Sequence, residues 1–518
     1  MATVVESTRG VDPEVEFFDV VVVGAGISGI DAAWHMSKYQ PDKSFVVLEA
    51  LESYGGTWLT HKYPGIRSDS DLYTFGYSFK PWVGAPIATA EEIQSYLGEV
   101  LEENDLERHI RYHHKITHAE WSTPDQRWTL TGRRSDTGEV VRLQANFLWM
   151  CQGYYRHSEG YTPTWPGMSD FRGEIIHPQT WPDDVDLGGK RVIVIGSGAT
   201  AATLVPAIAE SCEHVTVVQR SPTYFYPGPN TNEVADMLRE LDLPEEWVHE
   251  IVRRKILHDQ EVVTRLCFEQ PEFVKEVLIE TLRPLLPEGY DLETHFTPRY
   301  LPWRQRIAKV PDADLFVGIS KGLATMVTDE IDSFTETGLR TKSGQQIDAD
   351  VIITATGFNL SVLGDIEFST DGRPIDFAET VTYRGMMFTG VPNMAWVFGY
   401  FRASWTLRAD LISQFLMRLF DEMGRLGATS VTPRLRAQDE GDPIVAWVDE
   451  ADFNPGYLMR SMALMPKRID KPEWRHTQDY WVEKDLLPQA PLDDGCLVFA
   501  TANGELTSTP AAMNSSSR

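Results

Sequence analysis

Hydrophobic and polar positions alternate along this chain in blocks that predict strands and helices in a repeated order. Phe18-Asp19-Val20-Val21-Val22-Val23 is a short β-branched run of the kind buried in a parallel sheet. Gly24-Ala25-Gly26-Ile27-Ser28-Gly29 follows at once, then helical periodicity over 30–39, then Pro41 and a second apolar run over 45–48 that ends at Glu49. These make one complete βαβ unit. A second copy runs from a strand at 191–195 through Gly196-Ser197-Gly198-Ala199-Thr200-Ala201 and a helix to about 210, then a strand at 215–218. Between about 232 and 300 the pattern turns helical and charged, over 234–241, 246–257 and 273–282, before a strand at 350–354 leads into Ala355-Thr356-Gly357-Phe358. The predicted fold class is α/β: two Rossmann-like dinucleotide-binding domains with a helical insertion. The expected boundaries are a flexible N-terminus at 1–16, a first domain from 17–155 and 380–500, and a second from 156–228 and 313–379. The insertion occupies 229–312 and a flexible tail 501–518.

Composition narrows the function. A chain of 518 residues has room for three or so units at about 150 residues each, and 42% apolar with 24% charged residues is ordinary globular usage. A net charge of −29 repels phosphate backbones, so nucleic acid is not an expected partner. No apolar run reaches the roughly 18 residues of a membrane span and the N-terminus lacks a basic, then apolar, leader, which predicts a cytoplasmic protein without a transmembrane segment. Cys151, Cys212, Cys267 and Cys496 stand far apart without CxxC spacing, and His113-His114 would diverge on a strand. Neither a metal site nor a redox cysteine pair is expected. Met386, Met387, Met394 and Trp396 read as core packing.

A GxGxxG motif is weak evidence alone and strong when a strand precedes it, a helix follows and an acid closes the next strand. The first copy meets all three conditions. Gly24 permits the turn, Gly26 lets backbone approach a pyrophosphate, Gly29 allows helix and strand to pack closely, and Ser28 offers a hydroxyl. Glu49 would accept hydrogen bonds from an unphosphorylated ribose, which suits FAD or NAD. The second unit ends in Gln219-Arg220-Ser221, placing a cation and a hydroxyl where the first has a carboxylate, so NADPH fits there better than NADH. Arg304 or Lys309 is an alternative source of that charge. The segment Gly55-Gly56-Thr57-Trp58 holds no cysteine, so oxygen rather than a disulfide is the expected acceptor for electrons from a bound flavin.

Phe171-Arg172-Gly173-Glu174-Ile175-Ile176-His177-Pro178-Gln179-Thr180-Trp181-Pro182 matches FxGxxxHxxxWP, and with it the chain resembles the type I Baeyer-Villiger monooxygenases. Tyr63-Pro64-Gly65-Ile66-Arg67-Ser68-Asp69 and Pro302-Trp303-Arg304-Gln305-Arg306 place the resemblance nearest the ethionamide-activating branch of the flavin-containing monooxygenase superfamily, over about residues 18–500. The resemblance implies an FAD-dependent enzyme that consumes NADPH and O2, forms a peroxide at flavin C4a, and converts ketones to esters or lactones, with sulfides also oxidised. It implies that Arg306 holds the anionic oxygen species and that Asp69 pairs with and orients Arg306. By the same resemblance Thr57, Trp58 and Ile116 contact flavin beside Gly56, while Ser197, Thr200 and Ser221 face NADP phosphates with Gly196, Gly198 and Arg220. Phe171, Gly173, His177 and Trp181 belong to the fingerprint, with His177 supporting the linker between domains rather than acting as a base. Some relatives carry lysine where this chain has Gln305. Ser404-Trp405-Thr406 is similar to the family segment near the flavin. Two alternatives stay open: a relative that oxidises sulfur or nitrogen through a hydroperoxyflavin, and a non-catalytic nucleotide-binding redox sensor. Neither the preferred ketone or sulfide nor the oligomeric state is readable.

Overall fold

The computed structural model describes residues 15–504. A strand Glu16–Val23 lies between Phe45–Leu48 and Val140–Met150, parallel to both, in a nine-stranded sheet. The strand begins two residues earlier than its apolar pattern, because Glu16 is fixed by an ion pair to Arg111 at 2.6 Å rather than by burial. The helix Ile27–Tyr39 starts directly after Gly26, whose carbonyl accepts from Gly29 and Ile30 N–H. A second sheet of five parallel strands orders Ala324–Thr328, His214–Gln219, Arg191–Ile195, Val351–Thr354 and Glu174–Ile176 side by side. Both βαβ units are therefore present, one in each sheet.

The chain passes between the sheets twice, through the strands Tyr155–Gly160 and Phe358–Leu360, which pair antiparallel. A separate pair, Phe225–Gly228 parallel with Ala308–Pro311, ties the second sheet to the insertion. The insertion leaves after the first of the latter two strands and returns through the second, inside the boundary expected at 312. It carries helices Glu233–Glu240, Glu245–Glu269, Pro271–Glu280 and Leu292–Phe296. The second of these runs well beyond 257 because its last turns are held by i,i+4 ion pairs, Lys255 with Asp259 and Arg265 with Glu261, not by an apolar stripe.

The expected domain boundary at 379/380 falls too late. Glu367–Thr370 pairs parallel with His114–Ser122, and Arg373–Pro374 pairs with it in turn, so both extend the first sheet. Phe368 alone anchors this edge, edge-to-face with Trp128 at 6.1 Å; a single buried position leaves no periodicity to read. The flexible segments expected at 1–16 and 501–518 lie mostly outside the described residues, although Glu16 is in the sheet and Thr501 accepts a hydrogen bond from the Gln126 amide at 2.8 Å. Met386, Met387, Met394 and Trp396 are fully buried in the core. Among the described residues no helix is long and apolar enough to cross a membrane.

Candidate active site

The C-terminal ends of the parallel strands in both sheets open onto one cleft of about 1270 Å³, the place where open α/β sheets bind ligands. Gly24, Gly26, Ser28, Glu49, Gly56, Thr57, Trp58, Asp69 and Ile116 line it from the first domain, and Gly196, Ser197, Gly198, Thr200, Arg220 and Ser221 from the second. Arg306 reaches it from the end of the insertion, two residues before the strand Ala308–Pro311. Gly29 does not line it. Its role is packing: a Cβ there would meet the Gly24 carbonyl oxygen at 1.8 Å, and Gly24 itself turns at φ +102°. Because backbone rather than a flexible side chain is in the way, Gly29→Ala is expected to displace the turn and yield protein with less than about a tenth of the normal flavin content, read as flavin absorbance per protein. A fully flavinated Gly29→Ala protein would refute this reading.

The first glycine turn fits a dinucleotide. A Cβ at Gly26 would come within 3.6 Å of Gly56 Cα, so bare backbone faces bare backbone beside the helix N-terminus. Glu49 is set by two backbone donors, Ala25 N–H to Oε2 at 2.8 Å and Leu51 N–H to Oε1 at 3.0 Å. Each carboxylate oxygen keeps acceptor capacity for a ribose hydroxyl. Ser28 Oγ accepts from the Trp405 indole N–H at 2.8 Å, which ties the turn to the helix Trp405–Leu426 and leaves the serine proton free to donate. Thr57 shares a 2.7 Å hydrogen bond with the Tyr155 hydroxyl. In the second turn Ser197 Oγ is engaged with Ser221 O at 3.3 Å and Thr223 Oγ1 at 3.1 Å, so it braces the loop after the strand.

Arg306 and Asp69 are far apart in sequence and form a two-pronged ion pair in the cleft. Arg306 Nε and Nη2 both donate to the Asp69 carboxylate, the latter at 2.7 Å, Nη2 also donates to Ser70 Oγ at 3.1 Å, and Nη1 to the Phe401 carbonyl at 3.2 Å. Four of the five guanidinium N–H bonds are thus engaged, and one on Nη1 is left for a ligand. The Arg306 side chain is 35% exposed, toward the cleft. Burial opposes its charge, but Asp69 more than offsets this and raises its proton affinity above the ordinary value. Tyr154 and Tyr457 flank it, both phenol pKa values raised chiefly by burial, and Tyr154 stacks on Trp405 at 5.1 Å.

The segment carrying Asp69 is positioned by the other domain. Arg67 pairs with Asp314 at 2.5 Å, and a Cβ at Gly65 would meet the Ala207 side chain at 2.5 Å. His177 lies outside the cleft lining, over Gly160, where a Cβ would meet its ring at 1.9 Å. Its Nδ1 accepts from Gln179 N–H and its Nε2 donates to Gly357 O at 3.2 Å, bridging the two linker strands, and burial lowers its pKa so that it stays neutral. Phe171 is buried in the second domain, Gly173 packs against it, and Trp181 packs at the core of the same domain, all away from the cleft. Arg304 and Lys309 do not line the cleft: Arg304 pairs with Asp452 at 3.3 Å, and Lys309 sits in the strand Ala308–Pro311. The motifs also gave no sign of Phe401, Tyr457 or Arg460, which line the cleft from the C-terminal third of the chain.

Residues 18–265 match the family model described as "Pyridine nucleotide-disulphide oxidoreductase". The FAD-containing monooxygenase EthA of Mycolicibacterium smegmatis is 44% identical over 486 residues, covering 93% of this chain and 97% of that protein. The chain belongs to the FAD-containing monooxygenases. The probable FAD-binding monooxygenase AlmA of Acinetobacter baylyi is 40% identical over 93% of the chain and 96% of its own length. Among solved structures, this monooxygenase has the fold of an oxidised steroid monooxygenase bound to NADP, with a TM-score of 0.73 at 23% identity over 94% of this chain and 100% of that one. It also resembles the structure of OTEMO in complex with FAD and NADP, TM-score 0.66 at 25% identity, over 82% of this chain and 88% of that one. The four cysteines are buried, separate thiols, so the likeness to the disulphide oxidoreductases is one of nucleotide-binding fold and not of redox cysteine chemistry.

Proposed function

We propose that this flavoprotein is an NADPH-consuming Baeyer-Villiger monooxygenase, turning ketone, O2, NADPH and a proton into ester or lactone, NADP⁺ and water, and accepting sulfides as second substrates. The observation that carries the reading is Arg306, clamped by Asp69 and the Phe401 carbonyl in a cleft shared by two dinucleotide turns. Bound FAD supplies a ring that accepts hydride and activates dioxygen. Glu49 and the amides after Gly24 hold its adenosine and pyrophosphate; Arg220 and Ser221 face the phosphorylated ribose of NADPH. Arg306 keeps a fixed positive charge at every working pH, and with one Nη1 hydrogen unengaged in the cleft wall it holds negative charge that develops on oxygen. Asp69 orients that guanidinium. His177, neutral and bonded to Gly357, steadies the linker between domains. Tyr154, Trp405, Phe401 and Tyr457 give the reacting end an aromatic wall that excludes water from the developing charge. The reading includes a cytoplasmic location, supported by four thiols that stand apart from one another.

The test is a product profile. Holoenzyme with NADPH and ¹⁸O2 is expected to convert members of a panel of linear, aryl and cyclic ketones to esters carrying one labelled oxygen. Sulfoxides or N-oxides alone from a matching heteroatom panel would move the protein to the heteroatom oxygenases. NADPH oxidation that yields only hydrogen peroxide throughout would overturn both readings.

A further inference from the structure

The end of the second nucleotide site carries a cation that no motif announced. Arg460, in the last turn of the helix Gly456–Ser461, lies over the Tyr161 ring with Cζ 3.5 Å from its centroid, and its Nη2 is 3.9 Å from where a Cβ on Gly357 would stand. Tyr161 N–H donates to Gly357 O at 3.0 Å, and Gly357 follows the strand Val351–Thr354, the immediate neighbour of the strand that ends in Gly196. Arg220 closes the next strand on the other side, His214–Gln219. Arg460 and Arg220 thus face one opening from opposite flanks of the glycine turn, and both line the cleft.

Neither arginine has a carboxylate partner among the described residues. Of the acids that share this part of the cleft, Asp329 accepts from Ser343 and Glu330 N–H, Asp365 pairs with Arg156, and Glu330 makes no ion pair with either arginine among the described residues. Burial lowers the hold of Arg460 on its proton, and the Arg220 charge lowers it further. Gln305, where a cation would otherwise be sought, donates its amide to Asn454 at 3.2 Å. Two unpaired guanidinium groups across one opening repel each other unless a multiply charged anion comes between them, and a ribose phosphomonoester presents that charge with three acceptor oxygens. We propose that Arg460 is the second cation of the 2′-phosphate subsite and sets, with Arg220, the preference for NADPH over NADH. The inference rests on reading the second glycine turn as the NADPH site.

The experiment titrates the FAD-loaded protein and its Arg460→Ala, Arg460→Lys and Arg220→Ala variants with 2′,5′-ADP and with 5′-AMP by calorimetry, flavin absorbance confirming that each variant is folded. A charged hydrogen bond of about 1.5–3 kcal/mol corresponds to roughly tenfold to a hundredfold in affinity. Arg460→Ala is expected to weaken 2′,5′-ADP by that factor while 5′-AMP changes less than about twofold, and Arg460→Lys to restore part of the loss. Equal weakening of both nucleotides, or of neither, overturns the role of Arg460. If Arg220→Ala discriminates between them and Arg460→Ala does not, only this inference falls; if wild type itself does not prefer 2′,5′-ADP, the NADPH reading falls with it.

Discussion

Arg306→Ala is expected to lower ester formation about 10²–10³-fold while NADPH still reduces the flavin, with the oxygen consumed recovered as hydrogen peroxide. The separation of the two half-reactions follows from where the side chain acts. Hydride delivery needs both nucleotides seated, and the residues that seat them, Gly24 to Gly29, Glu49 and the second turn, make no hydrogen bond to Arg306. Oxygen insertion needs a positive charge at the aromatic end of the cleft, and Arg306 is the cation fixed there by Asp69, Ser70 and Phe401. The substitution leaves Asp69 unpaired, but that carboxylate is 30% exposed and can be solvated, so the fold should survive. Oxygen uptake with and without catalase, beside product quantification, measures the split. Unimpaired ester yield in the variant would remove Arg306 from the mechanism.

The second large effect is on stability. Arg408 is wholly buried on the helix Trp405–Leu426 and donates Nε to Glu483 at 2.9 Å, Nη1 to Phe398 O at 2.8 Å and Nη2 to Arg384 O at 2.8 Å. Glu483, 8% exposed at the side chain, also accepts from the Tyr400 hydroxyl at 2.7 Å. Removing one partner of such a pair strands a buried charge, so Glu483→Ala should cost about 3–5 kcal/mol in chemical denaturation, with Glu483→Gln costing less because it keeps an acceptor. The network fixes residues 398–401, and the Phe401 carbonyl holds Arg306, so the variant should also lose coupling between NADPH oxidation and product. Burial alone would raise the Glu483 pKa, yet the Arg408 charge and its hydrogen bonds hold it below the ordinary 4.5. Its unfolded pKa is therefore the higher one: the stabilisation is complete above that range and fades as pH falls through the lower folded value. A denaturation midpoint equal to wild type at neutral pH would show that the pair contributes nothing.

Much of the site was legible because its chemistry is local. A strand, a glycine turn, a helix and a strand-ending acid or base lie within about thirty residues of each other, and backbone sterics force them into one geometry whatever surrounds them. The polar edges were not legible. Glu16 enters the sheet through an ion pair, Glu367–Thr370 through a single buried phenylalanine, and the end of the long insertion helix through i,i+4 charges; none leaves a hydrophobic period. Arg304 and Lys309 stayed open as alternatives to Arg220 for part of the charge at the second turn, since spacing does not say which way a side chain faces.

The amino-acid sequence by itself determined the two nucleotide-binding units, because hydrophobic period and glycine placement act over short range, whereas the Arg306–Asp69 pair was expected only through the resemblance of its motifs to a known family. Only the tertiary structure decided what that pair touches. Phe401, Tyr457 and Arg460 reach the cleft from the C-terminal third, and Asp69 is steadied by Arg67 bound to Asp314, across a sequence gap that no local pattern spans. Which N–H bonds of a guanidinium remain free depends on partners brought together by packing of whole domains, a long-range property that the order of residues encodes without displaying.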